Sequence, residues 1–169
     1  MMQLPYIEPS EELSLNLGAL AIIIHELAYT KRGKKVLNFE RLQVFYYLTL
    51  RPEMMNQVLT GLSKPTLKLR PEEYYTASTT GVNLDPLHDR KRLKLLLQLL
   101  AHKKLMDTTY DKKEGFVFEP NETGQRFSLG LNQPYFNDVR RIAAQLTHLQ
   151  STSLSSLNKQ INTILRGEN

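Results

Sequence analysis

Residues 85–127 read DPLHDRKRLKLLLQLLAHKKLMDTTYDKKEGFVFEPNETGQRF. A basic, leucine-rich segment is followed by two short segments that favour β-strands and flank Gly115. The pair Thr123-Gly124 then begins another helical segment. This order of helix, hairpin and helix predicts a winged-helix domain whose hairpin is the wing. Such domains bind DNA or proteins and rarely catalyse reactions.

The helix before the predicted wing separates apolar from basic residues. Asp85-Pro86 predicts its start, since aspartate caps helices and proline suits the first helical position. Helical spacing turns four leucines inward: Leu93, Leu96, Leu97 and Leu100. The wing strands are predicted at 105–110 and 116–119. The basic residues that we predict to contact DNA or an acidic partner are Arg90, Lys91, Arg92 and Lys94 on the helix and Lys112 and Lys113 at the wing tip.

Three helices are predicted before this region. The first begins near Ser10 and ends at Gly33, and its apolar residues on several sides place it at the centre of the core. Residues 36–37 suit a one-bridge strand, Asn38 caps the second helix, and Pro52 begins the third. The second helix has apolar residues beyond one buried stripe, which indicate either deep burial or a protein interface; they are Val44, Tyr47 and Leu48.

The last predicted helical region begins at Pro134. Its apolar residues alternate in spacings of three and four on both sides of a Ser/Thr-rich break at 151–156, which is typical of a coiled-coil seam. As one helix, residues 134–166 would span about 50 Å. A partner helix is therefore favoured, and folding back onto the chain's own core is the alternative. The predicted partner-binding seam residues are Ile142, Leu146, Leu149, Leu157 and Ile161.

Composition supports a packed core and argues against several chemistries. The 169 residues are 41% hydrophobic and 23% charged, and there is no cysteine. Disulfides, cysteine-bound zinc and thiol catalysis are therefore excluded, and a reducing cytoplasm fits best. The histidines lack metal-ligand spacing, so we predict no metal, no cofactor and no enzyme activity. No apolar run is long enough for a membrane span, and a membrane is not an expected partner.

The net charge of +5 is concentrated in two places. Residues 31–41 and 85–113 are rich in lysine and arginine, and could meet phosphates or an acidic protein. Two solvated surfaces are the alternative interpretation. The sequence thus predicts a mainly α-helical chain with a winged-helix domain at 1–130, an irregular insertion at about 64–84, and a C-terminal helical extension at 131–169.

Five segments carry a resemblance to a known protein family. They are ELSLNLGAL (12–20), LNFERLQVFYYL (37–48), RKRLKLLLQLLAHKKLMD (90–107), FVFEPNETGQRF (116–127) and NQPYFNDVRRIAAQL (132–146). In their order the chain resembles the middle, or accessory, subunit of ABC three-component antiviral systems of the Lamassu family. The resemblance covers most of residues 11–149 and leaves out the Ser-rich tail past Gln150.

This resemblance implies a non-catalytic adaptor in an anti-phage or anti-plasmid complex. The adaptor would bridge an SMC-like ABC ATPase and an effector nuclease, and could contact double-stranded DNA held by the complex. The family pattern contains no catalytic residues to carry over. A winged-helix transcriptional regulator is the alternative function, in which the helix before the wing would enter the major groove.

Overall fold

The computed structural model describes residues 12–74 and 89–167. Within these ranges the chain is mainly helical with a small antiparallel hairpin, as predicted. The elements in chain order are α1 (Leu13–Leu27), α2 (Phe39–Thr49), α3 (Pro52–Gly61), α4 (Pro71–Tyr74), α5 (Arg90–His102), β1 (Met106–Asp111), β2 (Gly115–Pro120), α6 (Glu122–Gly130), α7 (Pro134–Gln145), a 3-10 turn (Leu146–Leu149) and α8 (Leu154–Leu165). The predicted helix starts at Ser10 and Asp85-Pro86, and residues 75–84 of the predicted insertion, lie outside the described residues.

Helix α1 lies at the centre of the core, as its apolar residues on several sides predict. Every residue from Gly18 to Ile24 is buried. Helix α7 approaches α1 closely at Gly18, where a Cβ would lie 2.4 Å from Cε1 of Phe136. The ring of Phe136 therefore fills the space that a side chain would need. Burial of Phe136 and of Ile22 in this cluster contributes about 1.5–3 kcal/mol for each side chain.

Helix α1 ends earlier than predicted, at Leu27 rather than near Gly33. Beyond it, Tyr29 and Lys35 form an antiparallel bridge. Gly33 has a φ of 78° and lies in the turn between them. Gly33 therefore adopts a left-handed conformation in a small hairpin and does not end the helix, although a helix end was predicted there.

The segment after this turn pairs with the hairpin β1–β2, the predicted wing. Asn38 and Val117 form an antiparallel bridge, and the backbone N–H of Phe118 donates to the carbonyl of Leu37 over 2.9 Å. The one-bridge strand was predicted at 36–37, and the bridges lie on either side of these residues, at Lys35 and Asn38. This pairing attaches the connection between α1 and α2 to β2.

The predicted Asn38 cap of α2 and the predicted proline starts of α3 and α7 are confirmed. The Asn38 side chain accepts a hydrogen bond from the backbone N–H of Arg41, and Pro52 and Pro134 lie in the first turns of α3 and α7. Helix α5 begins at Arg90, and its cap is Asp89. A capping side chain satisfies backbone donors that the helix cannot, so these starts follow from local chemistry.

Hydrogen bonds and ion pairs fix the segment after α3 to neighbouring helices. Asn56 makes two hydrogen bonds with the backbone of Leu67, of 2.7 and 2.9 Å. The buried carboxylate of Glu73 contacts the guanidinium of Arg141 on α7, and Arg70 reaches Asp138 at 2.5 Å. The start of the predicted insertion is therefore anchored to α3 and α7.

The C-terminal region does not form one long helix. Helix α7 ends at Gln145, a 3-10 turn follows, and α8 begins after Ser153, whose side chain accepts from the N–H of Ser156. The predicted Ser/Thr-rich break is thus confirmed. Residues of α7, the 3-10 turn and α8 join the main hydrophobic cluster together with residues of α1, α2, α3 and α5. The core is continuous across residue 131.

Two buried side chains fix the tail to the N-terminal half. Arg41 Nη1 donates to the carbonyls of Thr152, at 2.8 Å, and Leu149, at 3.4 Å. Gln150 Nε2 donates to the carbonyls of Leu27, at 2.9 Å, and Tyr29. Burial lowers the pKa of the Arg41 guanidinium. The tail is therefore locked in place by polar as well as apolar contacts.

Candidate interaction surface

The outer face of α5 presents two of the predicted basic residues. Lys91 and Lys94 are exposed, and Leu95, which follows Lys94 in the helix, is 50% exposed. The leucines predicted to face inward, Leu93, Leu96, Leu97 and Leu100, are all buried. Within residues 12–74 and 89–167, neither Lys91 nor Lys94 forms an ion pair. Both ammonium groups therefore face solvent from one side of the helix.

The other two predicted basic residues of α5 are less available. Arg90 Nη1 donates to both carboxylate oxygens of Glu40, at 2.8 and 2.9 Å, and its guanidinium carbon lies 4.6 Å from the ring centroid of Phe39. Arg92 is half-buried, and its charge opposes the rise that burial causes in the pKa of Tyr46. Arg90 therefore links α5 to α2, a role that the sequence did not indicate.

Lys112 and Lys113 lie at the wing tip, where they were predicted, and both are exposed. The turn is organised by Asp111, whose Oδ1 accepts from the backbone N–H of Lys113 at 2.8 Å and of Glu114 at 2.9 Å. These two hydrogen bonds lower the pKa of Asp111. Gly115 has a φ of 78°, a conformation that favours glycine and closes the turn.

One face of the wing is covered by the connection between α1 and α2. The Tyr29 hydroxyl donates to the Glu119 carboxylate, and Lys35 Nζ lies 3.1 Å from both Glu119 Oε2 and Thr109 Oγ1. Beneath them Val117 is fully buried. One residue of the basic cluster at 31–41, Lys35, therefore contacts the hairpin and helps to fix its position.

Tyr29 should titrate at an unusually high pH. The hydrogen bond to Glu119 raises the pKa of its phenol to about 12, since ionisation would break that bond and place two negative charges together. The folded state thus keeps a proton that the unfolded state loses near pH 10. The stabilisation is complete below pH 10 and is lost as the pH rises towards 12.

The pKa of Tyr29 is measured by ultraviolet titration of phenolate absorbance in the wild type and in Tyr29→Phe. The difference between the two curves gives the titration of Tyr29. Glu119→Gln is expected to return this pKa towards the ordinary value of 10.0. A Tyr29 pKa that is already ordinary in the wild type would contradict the bond. Such a result would also leave Lys35 as the principal polar contact to Glu119.

The opposite face of the wing carries an exposed aromatic pair that sequence reasoning missed. Tyr110 and Phe116 are directly paired across the strands. Their ring centroids lie 5.5 Å apart in an edge-to-face arrangement. The side chains are 69% and 67% exposed. The sequence could have indicated this pair. Each aromatic residue lies next to the predicted turn, and two residues in these positions lie opposite one another in a hairpin.

The predicted partner-binding residues do not form an uncovered apolar surface. All eight are buried in the chain's own core: Val44, Tyr47, Leu48, Ile142, Leu146, Leu149, Leu157 and Ile161. Helix α2 lies between other elements and buries apolar residues on more than one side. The tail folds back, so its seam is covered without a partner helix. The prediction of surplus apolar surface at these positions is therefore wrong.

Two features are absent from residues 12–74 and 89–167. No group of three or more His, Asp or Glu side chains lies where it could hold a metal ion. In the same ranges, no helix combines the length and the apolar character that a bilayer crossing requires.

Comparison with known proteins gives one family. The family model described as "ABC-three component (ABC-3C) system Middle Component 4" matches residues 27–159. No curated protein and no solved structure is significantly similar to the chain. The matched region runs from the last residue of α1 into α8, so it includes α5, the wing and the arginine–carbonyl contacts that fix the tail. Because this match spans well over half of the sequence, the chain belongs to the Middle Component 4 family of ABC three-component systems.

Proposed function

We propose that the chain is a non-catalytic adaptor of an antiviral complex of the Lamassu type, where it bridges an SMC-like ABC ATPase and an effector nuclease. The observation that carries this proposal is the family match over residues 27–159, because a middle component acts together with other components. The order of the five segments that resemble Lamassu accessory subunits supports the finer assignment. Double-stranded DNA enters the proposal as a ligand shared with the ATPase.

The architecture supports a winged-helix interpretation of the region around the wing. Helix α5 directly precedes the hairpin β1–β2. The segment between α1 and α2 pairs antiparallel with β2 through Asn38 and Val117. In a winged helix, a short strand after the first helix completes the wing sheet in this way. We propose that α5 takes the position of the recognition helix.

The proposed DNA contact uses the solvent-facing lysines of this region. Lys91 and Lys94 lie on the outer face of α5, and Lys112 and Lys113 lie at the wing tip. Lysine side chains bind phosphates as point charges, so the contact would be independent of sequence and sensitive to salt. Arg90 contributes less, because Glu40 already neutralises it.

Co-expression tests the adaptor assignment. The full chain, tagged, is produced with the ABC ATPase and the nuclease-like protein encoded beside it, and the complex is isolated at moderate salt. We expect all three proteins to elute together, and the ATPase and nuclease to separate when the chain is omitted. Recovery of an ATPase–nuclease complex of unchanged stability without the chain would overturn the bridging role.

Removing the α5 lysines should weaken duplex binding by the assembled complex. In Lys91→Ala/Lys94→Ala we expect the slope of log affinity against log salt to fall in magnitude by about 2, one for each lost phosphate contact. Fluorescence anisotropy over a salt series measures this slope. The matched control is Lys159→Ala/Arg166→Ala, which removes two exposed cations from the end of the chain at α8.

The outcome separates two explanations of the basic face. An unchanged slope in the α5 variant would remove these lysines from the DNA contact. Equal losses in the α5 variant and in the α8 control would instead indicate that net charge alone attracts the duplex.

A solitary winged-helix transcriptional regulator is the second candidate, and the pairing of Asn38 with Val117 favours it as much as it favours the adaptor. Base readout, however, needs polar side chains that can enter the major groove. Arg90 is held by Glu40 and Arg92 is half-buried. A sequence-selective footprint of the isolated chain on its own promoter, with no co-eluting ATPase, would favour the regulator.

A further inference from the structure

We infer that the free face of the wing binds unpaired bases of a single-stranded nucleic acid. Tyr110 and Phe116 form the stacking platform, and Lys112 and Lys113 contact the adjoining phosphates. This site is separate from the outer face of α5, and it can exist whether or not the chain bridges an ATPase and a nuclease.

The alternation of side chains along the strands defines the face. Met106, Thr108 and Tyr110 point to one side of β1, and Phe116 and Phe118 point to the same side of β2. The inner half of this face packs on the main core through Met106 and Phe118. The outer half of the face, with Tyr110 and Phe116, extends beyond the core. The two exposed rings therefore lie on a hairpin whose other end is packed against the core.

The hairpin tip carries a net positive charge, because Lys34, Lys112 and Lys113 outnumber Asp111 and Glu114. Asp111 keeps its negative charge, since the backbone hydrogen bonds that it accepts lower its pKa, and Glu114 pairs with Lys34 at 3.7 Å. Across the described segments, no carboxylate lies within ion-pair distance of Lys112 or Lys113. The three lysines exceed the two acids by one positive charge, and this excess beside the rings complements a phosphate.

The size of the patch favours bases over a protein partner. A stable protein interface buries about 800 Å² on each side around an apolar centre. Here the exposed apolar surface of the wing is limited to Tyr110 and Phe116, with polar or charged residues such as Thr108 and Lys112 exposed next to them. Two rings with flanking lysines match a few nucleotides, because single-strand binding combines base stacking with backbone charge.

The wing is also held in a fixed position before any ligand arrives. Its opposite face is fixed by Lys35 and by the Tyr29–Glu119 hydrogen bond, and Asn38 bridges to Val117. The rings are themselves in edge-to-face contact. A platform that is already ordered loses little conformational freedom on binding. Bases inside a duplex are stacked on each other, so only unpaired bases can use this platform.

Anisotropy of the full chain with labelled single strands tests the proposal. The probes are an oligothymidine of about 12 nucleotides, an abasic strand of equal length, the matching oligouridine, and a duplex of equal length. We expect the base-bearing strands to bind at least about tenfold more tightly than the abasic strand. The double variant Tyr110→Ala/Phe116→Ala should lose this preference and keep the affinity for the abasic strand.

Two variants separate stacking from charge. Lys112→Ala/Lys113→Ala should weaken binding of base-bearing and abasic strands alike and reduce the salt dependence. Leu129→Ala, which removes a side chain that is 65% exposed on α6, is the matched apolar control and should change nothing. Circular dichroism melts would check that each variant folds. We expect Tyr110→Ala/Phe116→Ala and Leu129→Ala to fold, because the side chains that they remove are about two-thirds exposed.

Three results would overturn the inference. Equal affinity for oligothymidine and the abasic strand would show that the bases are not bound. A preference for base-bearing over abasic strands that survives Tyr110→Ala/Phe116→Ala would assign base binding to another surface. Loss of a co-purifying protein component in that variant, with unchanged single-strand affinity, would assign the aromatic pair to a protein contact.

Discussion

Replacing Leu157 by alanine is expected to lower the free energy of unfolding by about 2–5 kcal/mol. Leu157 has no exposed surface and joins the main core from α8. Truncation there removes apolar contacts and leaves a cavity that the neighbouring helices can only partly close. Urea denaturation followed by circular dichroism measures the change. Leu157→Asp is expected to prevent folding altogether, because it would bury an unpaired charge.

The neighbouring residue supplies the control. Asn158 is exposed on the same helix, and Asn158→Ala should alter stability by no more than about 0.7 kcal/mol through helix propensity. If Leu157→Ala kept its stability and lost only a co-purifying component, α8 would be a partner-binding helix after all. The burial of Leu157 makes loss of the fold the expected result.

Gly124→Ala should disrupt the junction between the wing and α6. A Cβ at this position would lie 1.7 Å from the carbonyl oxygen of Leu105, which is backbone and cannot move aside as a side chain could. The junction is also tied by Asn121, which accepts from the Gly124 N–H at 2.8 Å and donates to the Lys104 carbonyl at 2.9 Å. We expect a loss of about 2 kcal/mol or more, after the gain of about 1 kcal/mol that alanine brings to a helix.

Gly130 provides the matched comparison within α6. Apart from its chain neighbours and the backbone of α6, no atom of the described residues lies within 4 Å of the place that a Cβ would take. Gly130→Ala should therefore be neutral or stabilising by up to about 1 kcal/mol. Thermal melts of both variants measure the contrast. Equal stability of the two variants would mean that α6 can shift away from Leu105 without cost.

Features that depend on neighbours in sequence could be predicted well. The Asn38 cap and the first-turn prolines Pro52 and Pro134 are set by backbone hydrogen bonding within one turn of the chain. The hairpin, its tight turn at Gly115 and the position of Lys112 were likewise predicted from local preferences. The family assignment also followed from the order of such elements, and the family match supports it at the level of the three-component system.

Features that depend on distant contacts could not be predicted. An apolar residue such as Val44 has the same helical spacing whether a partner or the chain itself covers it, and here the chain does. Arg90 was predicted to be free because Glu40, its ion-pair partner, is 50 residues away in sequence. The end of α1 was misplaced because the bridge between Tyr29 and Lys35 competes with the helix for the same residues.

The contacts of Gln150 and Arg41 have a consequence for how the chain folds. Gln150 bonds to Leu27 across 123 residues, and Arg41 to Thr152 across 111. Contacts of such high sequence separation slow folding, because the ends of a long loop must meet before the bonds form. During synthesis, these hydrogen bonds cannot form until residues 149–152 have left the ribosome, so we expect the core around α1 and α2 to close late.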